Sequence, residues 1–134
     1  MNPQRRIAFD LDDTLWMLVE DKEPRIEGVG AMCACGTPVK QEVDPLMMAF
    51  VQDLFWGDNE VFLWSAGGVE YVNNWIDRFA PAWKLLVQVI SKEKGHNIDI
   101  CFDDQDVDLA TVNFRIKREH SDHWHEEEKE EKKD

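Results

Sequence analysis

At 134 residues and 43% hydrophobic content, the chain supplies about one domain with one core of ordinary density. Its formal net charge of -13 argues against broad electrostatic binding to nucleic acid, whose phosphates need Lys and Arg partners. No apolar run is long enough to span a bilayer and no apolar segment follows Arg5-Arg6, so a cytoplasmic, soluble protein without a secretory signal or membrane partner is expected.

In chain order, Arg6 to Phe9 reads as a short apolar strand that runs into the acidic cluster Asp10-Leu11-Asp12-Asp13. Residues 16–43 lack a helical period and carry the turn residues Pro24, Gly28, Gly30, Gly36 and Pro38, which predicts an excursion of the β-hairpin flap type. Asp44 as N-cap and Pro45 at the first helical position open a helix that places Leu46, Met47, Phe50, Val51 and Leu54 on one face. Gly57 can end it. Val61 to Trp64 reads as a buried strand leading into Ser65-Ala66-Gly67-Gly68. A second helix carries Val69, Val72, Trp75, Ile76 and Phe79 on one face and stops at Pro81. Leu85 to Ile90, Ile98 to Phe102 and Val112 to Ile116 supply three more strands, with too few residues between the first two of these for a full helix.

Strands alternating with helices imply an α/β domain built on a mostly parallel five-stranded sheet. The polar residues of interest follow the strand ends, where ligands sit in open α/β sheets. The domain is expected to span residues 1–119, with 16–43 as a flap insertion and 120–134 as a charged tail that offers no core face.

Asp10-Leu11-Asp12-Asp13-Thr14 fits the pattern D-x-D-x-T after a strand. As a polar turn it needs no chemistry. As a site, its spacing lets two carboxylates on a strand-end loop point into one crevice. One can attack phosphorus in line while the other gives a proton to the leaving oxygen and later takes one from water. A magnesium ion offsets their mutual repulsion and that of the phosphate.

The run Ile7-Ala8-Phe9-Asp10-Leu11-Asp12-Asp13-Thr14-Leu15 resembles the first motif of the haloacid dehalogenase-like (HAD) hydrolases, and the likeness recurs in order over residues 6–116. It implies a Rossmann-like three-layer sandwich with a minimal cap, Asp10 as nucleophile and Asp12 as acid/base. The second Asp also favours phosphate chemistry over dehalogenation. Ser65, at the end of the second core strand, matches the second motif. Its hydroxyl, with Thr14 and the nearby backbone of Ala66 and Gly67, is then expected to bind phosphoryl oxygens, although a serine here equally suits a helix N-cap. Lys92 matches the third motif, with Lys84 and Lys94 as competitors. Asp103-Asp104 matches the fourth. By that resemblance Asp104 joins Asp10 and the Asp12 carbonyl on Mg2+, with Asp103 bracing the site. Asp106 and Asp108 continue the acidic run and could substitute, but read first as loop solvation.

The function so implied is a magnesium-dependent phosphomonoester phosphatase working through an aspartyl-phosphate on Asp10. Its open site suits a small molecule, a phosphoprotein or a nucleic-acid 3′ end, the last disfavoured by charge. The alternative is a weakly active magnesium- or phosphate-binding interaction module, and transfer to an acceptor other than water is a third. Among other features, three cysteines form no disulfide framework. Cys33-Ala34-Cys35 is half of a zinc pattern without a second pair and belongs with the flap, and Cys101 reads as core. His120, His123 and His125 can trap metals only if the tail is held in place. Trp64 and Trp75 fit core positions, and Trp16 lies where it can line the site entrance.

Overall fold

The computed structural model describes residues 4–23, 31–33 and 36–120. In chain order its elements are β1 (Arg6–Phe9), β2 (Trp16–Glu20), β3 (Ala31–Met32), β4 (Pro38–Val43), α1 (Pro45–Trp56), β5 (Glu60–Leu63), α2 (Val69–Phe79), a 3-10 turn (Pro81–Trp83), β6 (Gln88–Val89), β7 (Ile100–Asp103) and β8 (Val112–Arg115). Ile7, Ala8 and Phe9 are buried in succession, as expected of a strand covered on both faces. β1 is accordingly the centre of a five-stranded sheet of order β6-β5-β1-β7-β8, in which every pairing is parallel. The chain leaves β1 toward β5 and β6, then returns to the other side for β7 and β8. That reversal puts a crevice outside the carboxyl end of β1.

The two sheet faces are covered differently. Ile7, Phe9, Val61 and Leu63 pack against Val51 of α1 and Val72, Trp75 and Ile76 of α2. Ala8, Phe62, Trp64 and Cys101 face the other way and pack on Ile90, Ile98, Val107, Leu109 and Ala110. The fold is the expected α/β one, but both helices share a face and the opposite layer is made of irregular connections. Each fully buried large side chain contributes about 1.5–3 kcal/mol relative to exposure.

The caps of α1 follow the sequence: Asp44 Oδ1 accepts from the N–H groups of Leu46 and Met47 at 3.0 and 3.2 Å, and the Gly57 N–H returns to Asp53 and Leu54. Its apolar face does not. Leu46 is 82% exposed, because the sheet takes Met47, Val51 and Leu54, with the Phe50 ring edge-on to Phe9 and Phe102, and Leu46 lies about 100° around the helix from Met47. In α2, Val69 is likewise exposed while Val72, Trp75 and Ile76 are buried. The expected strand over 85–90 shrinks to Gln88–Val89, and Leu85 is 95% exposed. Trp83 and Val87 fill the core instead, through a turn in which the N–H groups of Leu86 and Val87 both bond to the Trp83 carbonyl.

Within 16–43, β2, β4 and β3 form a second, antiparallel sheet with Trp16 opposite Val43 and Glu20 opposite Val39. Pro24, Gly28, Gly30, Cys35, His123 and His125, together with the expected tail beyond His120, lie outside the described residues. No helix among the described residues is long and apolar enough to cross a membrane.

Candidate active site

Phe9 pairs with Leu63 on one side and Phe102 on the other, so the carboxyl ends of β5, β1 and β7 stop level. The Asp10 N–H continues the ladder to the Phe102 carbonyl at 3.0 Å, and the Trp64 N–H does so to Phe9 at 3.1 Å. Asp10, Ser65, Asp103 and Asp104 are therefore delivered to one rim, and all four are buried.

Carboxylate oxygens of Asp10, Asp103 and Asp104 lie within 4.8 Å of one another. Lys92, in the turn after β6, reaches between two of them: its Nζ is 3.3 Å from Asp10 Oδ1 and 2.6 Å from Asp103 Oδ2. The other Asp103 oxygen accepts from the Gln105 N–H at 3.0 Å. Burial first, then the Asp103 charge, pushes Asp10 up to about 8, against the pull of Lys92. Burial also raises Asp104 to about 6; a hydrogen bond with Asp10 opposes the shift, and the Asp103 and Asp13 charges add to it. Burial would lower the Lys92 ammonium, but Asp10 and Asp103 outweigh it and raise its pKa. The acids thus share the Lys92 ammonium, and the Arg115 Nε donates to the Asp104 carbonyl at 3.2 Å. A buried, all-oxygen, net-negative donor set of this kind suits a hard divalent cation. The competing lysines stand apart: Lys94 pairs with Asp108 at 2.9 Å and Lys84 with Asp77 at 3.2 Å, both at the surface. Asp106 is exposed.

Asp12 lies outside that acidic cluster. Its Oδ1 accepts from the Tyr71 hydroxyl at 2.7 Å and from the Trp16 indole N–H at 2.9 Å. Burial and the bond to Asp12 push the Tyr71 phenol up to about 12, so it stays a donor. Leu11 is buried between the two acids, and its carbonyl accepts from the N–H groups of Thr14, Leu15 and Trp16, which closes the loop into a tight turn. Asp13 takes a φ of 62° there, a region that Asp tolerates better than most residues. Thr14 is fully buried, and its hydroxyl has no partner among the described residues.

Arg118 ties this loop down from outside. Its Nε donates to the Asp13 carbonyl at 2.9 Å and its Nη2 to the Thr14 carbonyl at 2.6 Å, while Nη1 pairs with Asp44 Oδ2 at 2.7 Å. One guanidinium so joins the first motif to the N-cap of α1. Neither Arg118 nor Tyr71 is singled out by sequence. A lone Arg after a last strand and a Tyr in a helix's first turn carry no local pattern, and each meets its partner only across the fold.

Ser65 is not the cap of α2; Gly68 holds that position without a side-chain bond. The Ser65 Oγ instead accepts from the Gly67 N–H at 3.0 Å, which fixes the oxygen and leaves the hydroxyl proton to be donated. Ala66 and Gly67 are exposed at the turn. A Cβ on Gly67 would lie 2.9 Å from Tyr71 Cδ1, so glycine is what lets that ring close over the turn.

No protein-family model matches the sequence, and no curated protein matches it. Among solved structures, the chain is similar to Fcp1, an essential RNA polymerase II CTD phosphatase, with a TM-score of 0.54 and 16% identity over 84% of this chain. The match spans 41% of the length of that structure. At this identity the likeness is one of fold, the HAD-like α/β arrangement, and it fits the all-parallel sheet with Asp10 at its switch point.

Proposed function

We propose that the chain is a magnesium-dependent phosphomonoester phosphatase with Asp10 as nucleophile. The observation that carries this reading is the Lys92 ammonium seated between Asp10 and Asp103, with Asp104 in the same buried cluster. One ammonium does not balance three carboxylates, and burial followed by the Asp103 charge pushes Asp10 up, so the donor set fits a divalent cation held by Asp10, Asp104 and the Asp12 carbonyl. Bound there, magnesium supplies positive charge to the phosphoryl oxygens and to the attacking carboxylate.

The chain's own groups perform the rest. An Asp10 oxygen attacks phosphorus, the ester P–O bond breaks, and Asp12 delivers its proton to the departing oxygen. Water then attacks the aspartyl-phosphate, Asp12 takes its proton, and the P–O bond to Asp10 breaks to release inorganic phosphate. Ser65 donates its hydroxyl to a phosphoryl oxygen, and Lys92 offsets charge on Asp10 as it forms and loses the ester. Asp103 braces Lys92. Among the described residues the insertion after the first motif adds the small β2–β4–β3 sheet and no larger cap, and the site suits a phosphate displayed on a larger molecule as well as a free one.

A panel of phosphomonoesters assayed with magnesium tests the reading. Asp10→Asn is expected to lose at least about 1,000-fold in turnover. Retained activity in that variant would exclude Asp10 as nucleophile, and a wild-type chain inert toward the whole panel would remove the reading altogether.

A further inference from the structure

We infer that Tyr71 and Trp16 are positioning residues that clamp one oxygen of Asp12 and reserve the other for proton transfer to the leaving group. This inference rests on the phosphatase reading above. Both donors converge on Oδ1, at 2.7 and 2.9 Å, and Oδ2 accepts no hydrogen bond among the described residues. An acid proton on Oδ1 would compete with two donors already aimed at it. The proton of the neutral carboxyl therefore resides on Oδ2, the oxygen left open.

The donors are themselves fixed. Trp16 begins β2 and packs at a tilt of 54° against Phe79, 5.2 Å between ring centroids. Tyr71 lies in the first turn of α2, and both rings pack on the main core. Gly67 leaves the space that the Tyr71 ring occupies, since a Cβ there would meet the ring at 2.9 Å. A carboxylate on a loop is otherwise free to rotate about two side-chain bonds. Two rigid aromatic donors from different elements remove that freedom without adding charge to a site already crowded with it.

Leaving-group dependence separates this role from a structural one. Dinitrophenyl phosphate releases a stable anion and needs little protonation, whereas glycerol phosphate releases an alkoxide that needs a proton. With magnesium, Tyr71→Phe is expected to lower kcat/KM, which reports the step that expels the leaving group, about tenfold or more on glycerol phosphate and less than about twofold on dinitrophenyl phosphate. Trp16→Phe shifts the same ratio in the same direction. In Asp12→Asn the further change Tyr71→Phe costs nothing more, because the clamp acts only through Asp12. The indole N–H of Trp16, assigned by its loss in Trp16→Phe, gives a readout independent of turnover: its proton resonance moves in both Tyr71→Phe and Asp12→Asn.

Equal losses on both esters in Tyr71→Phe, additive losses in the double variant, or an unmoved indole resonance would each overturn the clamp while leaving the phosphatase reading intact. A wild type inert on both esters overturns the phosphatase reading, and with it the clamp's catalytic role.

Discussion

Asp10 and Asp12 stand two residues apart, yet the fold holds them in opposite ways. Asp10 sits in a buried corner with two more carboxylates and a single lysine. Asp12 is held at the edge of the apolar core by a phenol and an indole, both neutral. The first corner is out of balance, and burial together with the Asp103 charge pushes Asp10 up to about 8. The second corner orients one carboxylate with donors that carry no net charge. Within one turn of chain, charge density is concentrated on one acid and geometry is imposed on the other.

The contrast can be broken most directly at Lys92. Lys92→Met removes the cation that touches the acidic corner and leaves Asp103 buried without its partner. Turnover is expected to fall about 100-fold or more. Stability without divalent cation should drop by about 3 kcal/mol, read by urea unfolding, as when one member of a buried ion pair is deleted. Unchanged stability would mean that the corner is not frustrated.

Arg118 serves both acids, because it holds the carbonyls of Asp13 and Thr14 on the loop that carries them. Arg118→Met strands Asp44 and two carbonyls. It should cost about 2–3 kcal/mol in urea unfolding and roughly tenfold in kcat. A loss confined to stability would show that the loop keeps its shape without the guanidinium.

Magnesium sharpens the comparison through pH. Asp10 is raised from 3.8 to about 8 in the native state. Between those values the native protein holds a proton that the unfolded chain has lost, so stability without cation falls as pH rises through that window. Magnesium displaces the proton. The gain in Tm on adding it should be larger near about pH 8 than near about pH 5, by about 5 °C. Asp10→Asn should erase the difference, and an equal gain at both pH values would disconnect the cation from Asp10.

The smallest effect belongs to Asp12. In Asp12→Asn the amide oxygen still accepts from Tyr71 and Trp16, so thermal unfolding should report a change within about 1 kcal/mol even as turnover of poor leaving groups falls. A much larger destabilisation would place Asp12 among the charge-stabilised groups with Lys92.

Particular residues show how far the sequence was legible. The Asp44-Pro45 start of α1 and its Gly57 end could be read because a cap is satisfied within three residues. The strand starting at Arg6 could be read from an unbroken apolar run. The run Leu85 to Ile90 misled for a related reason: a short apolar stretch has no period, and here Val87 is buried from a turn while Leu85 faces solvent. Leu46 departs from the expected face because it lies one residue before Met47, and only the sheet beneath selects which of the two is covered. Tyr71 was passed over since its partner lies 59 positions away, and Arg118 because its carbonyl contact lies 105 away.

The sequence by itself determined the α/β alternation and the order of acids, serine and lysine along the chain, because strand patterning, caps and motif spacing are settled among near neighbours. It did not settle which of three lysines meets Asp10, which side chains hold Asp12, or what fastens the first loop. Those answers depend on parallel register bringing strand ends level and on closing long loops. Only the folded chain, with the Lys92, Tyr71 and Arg118 contacts made together, decides them.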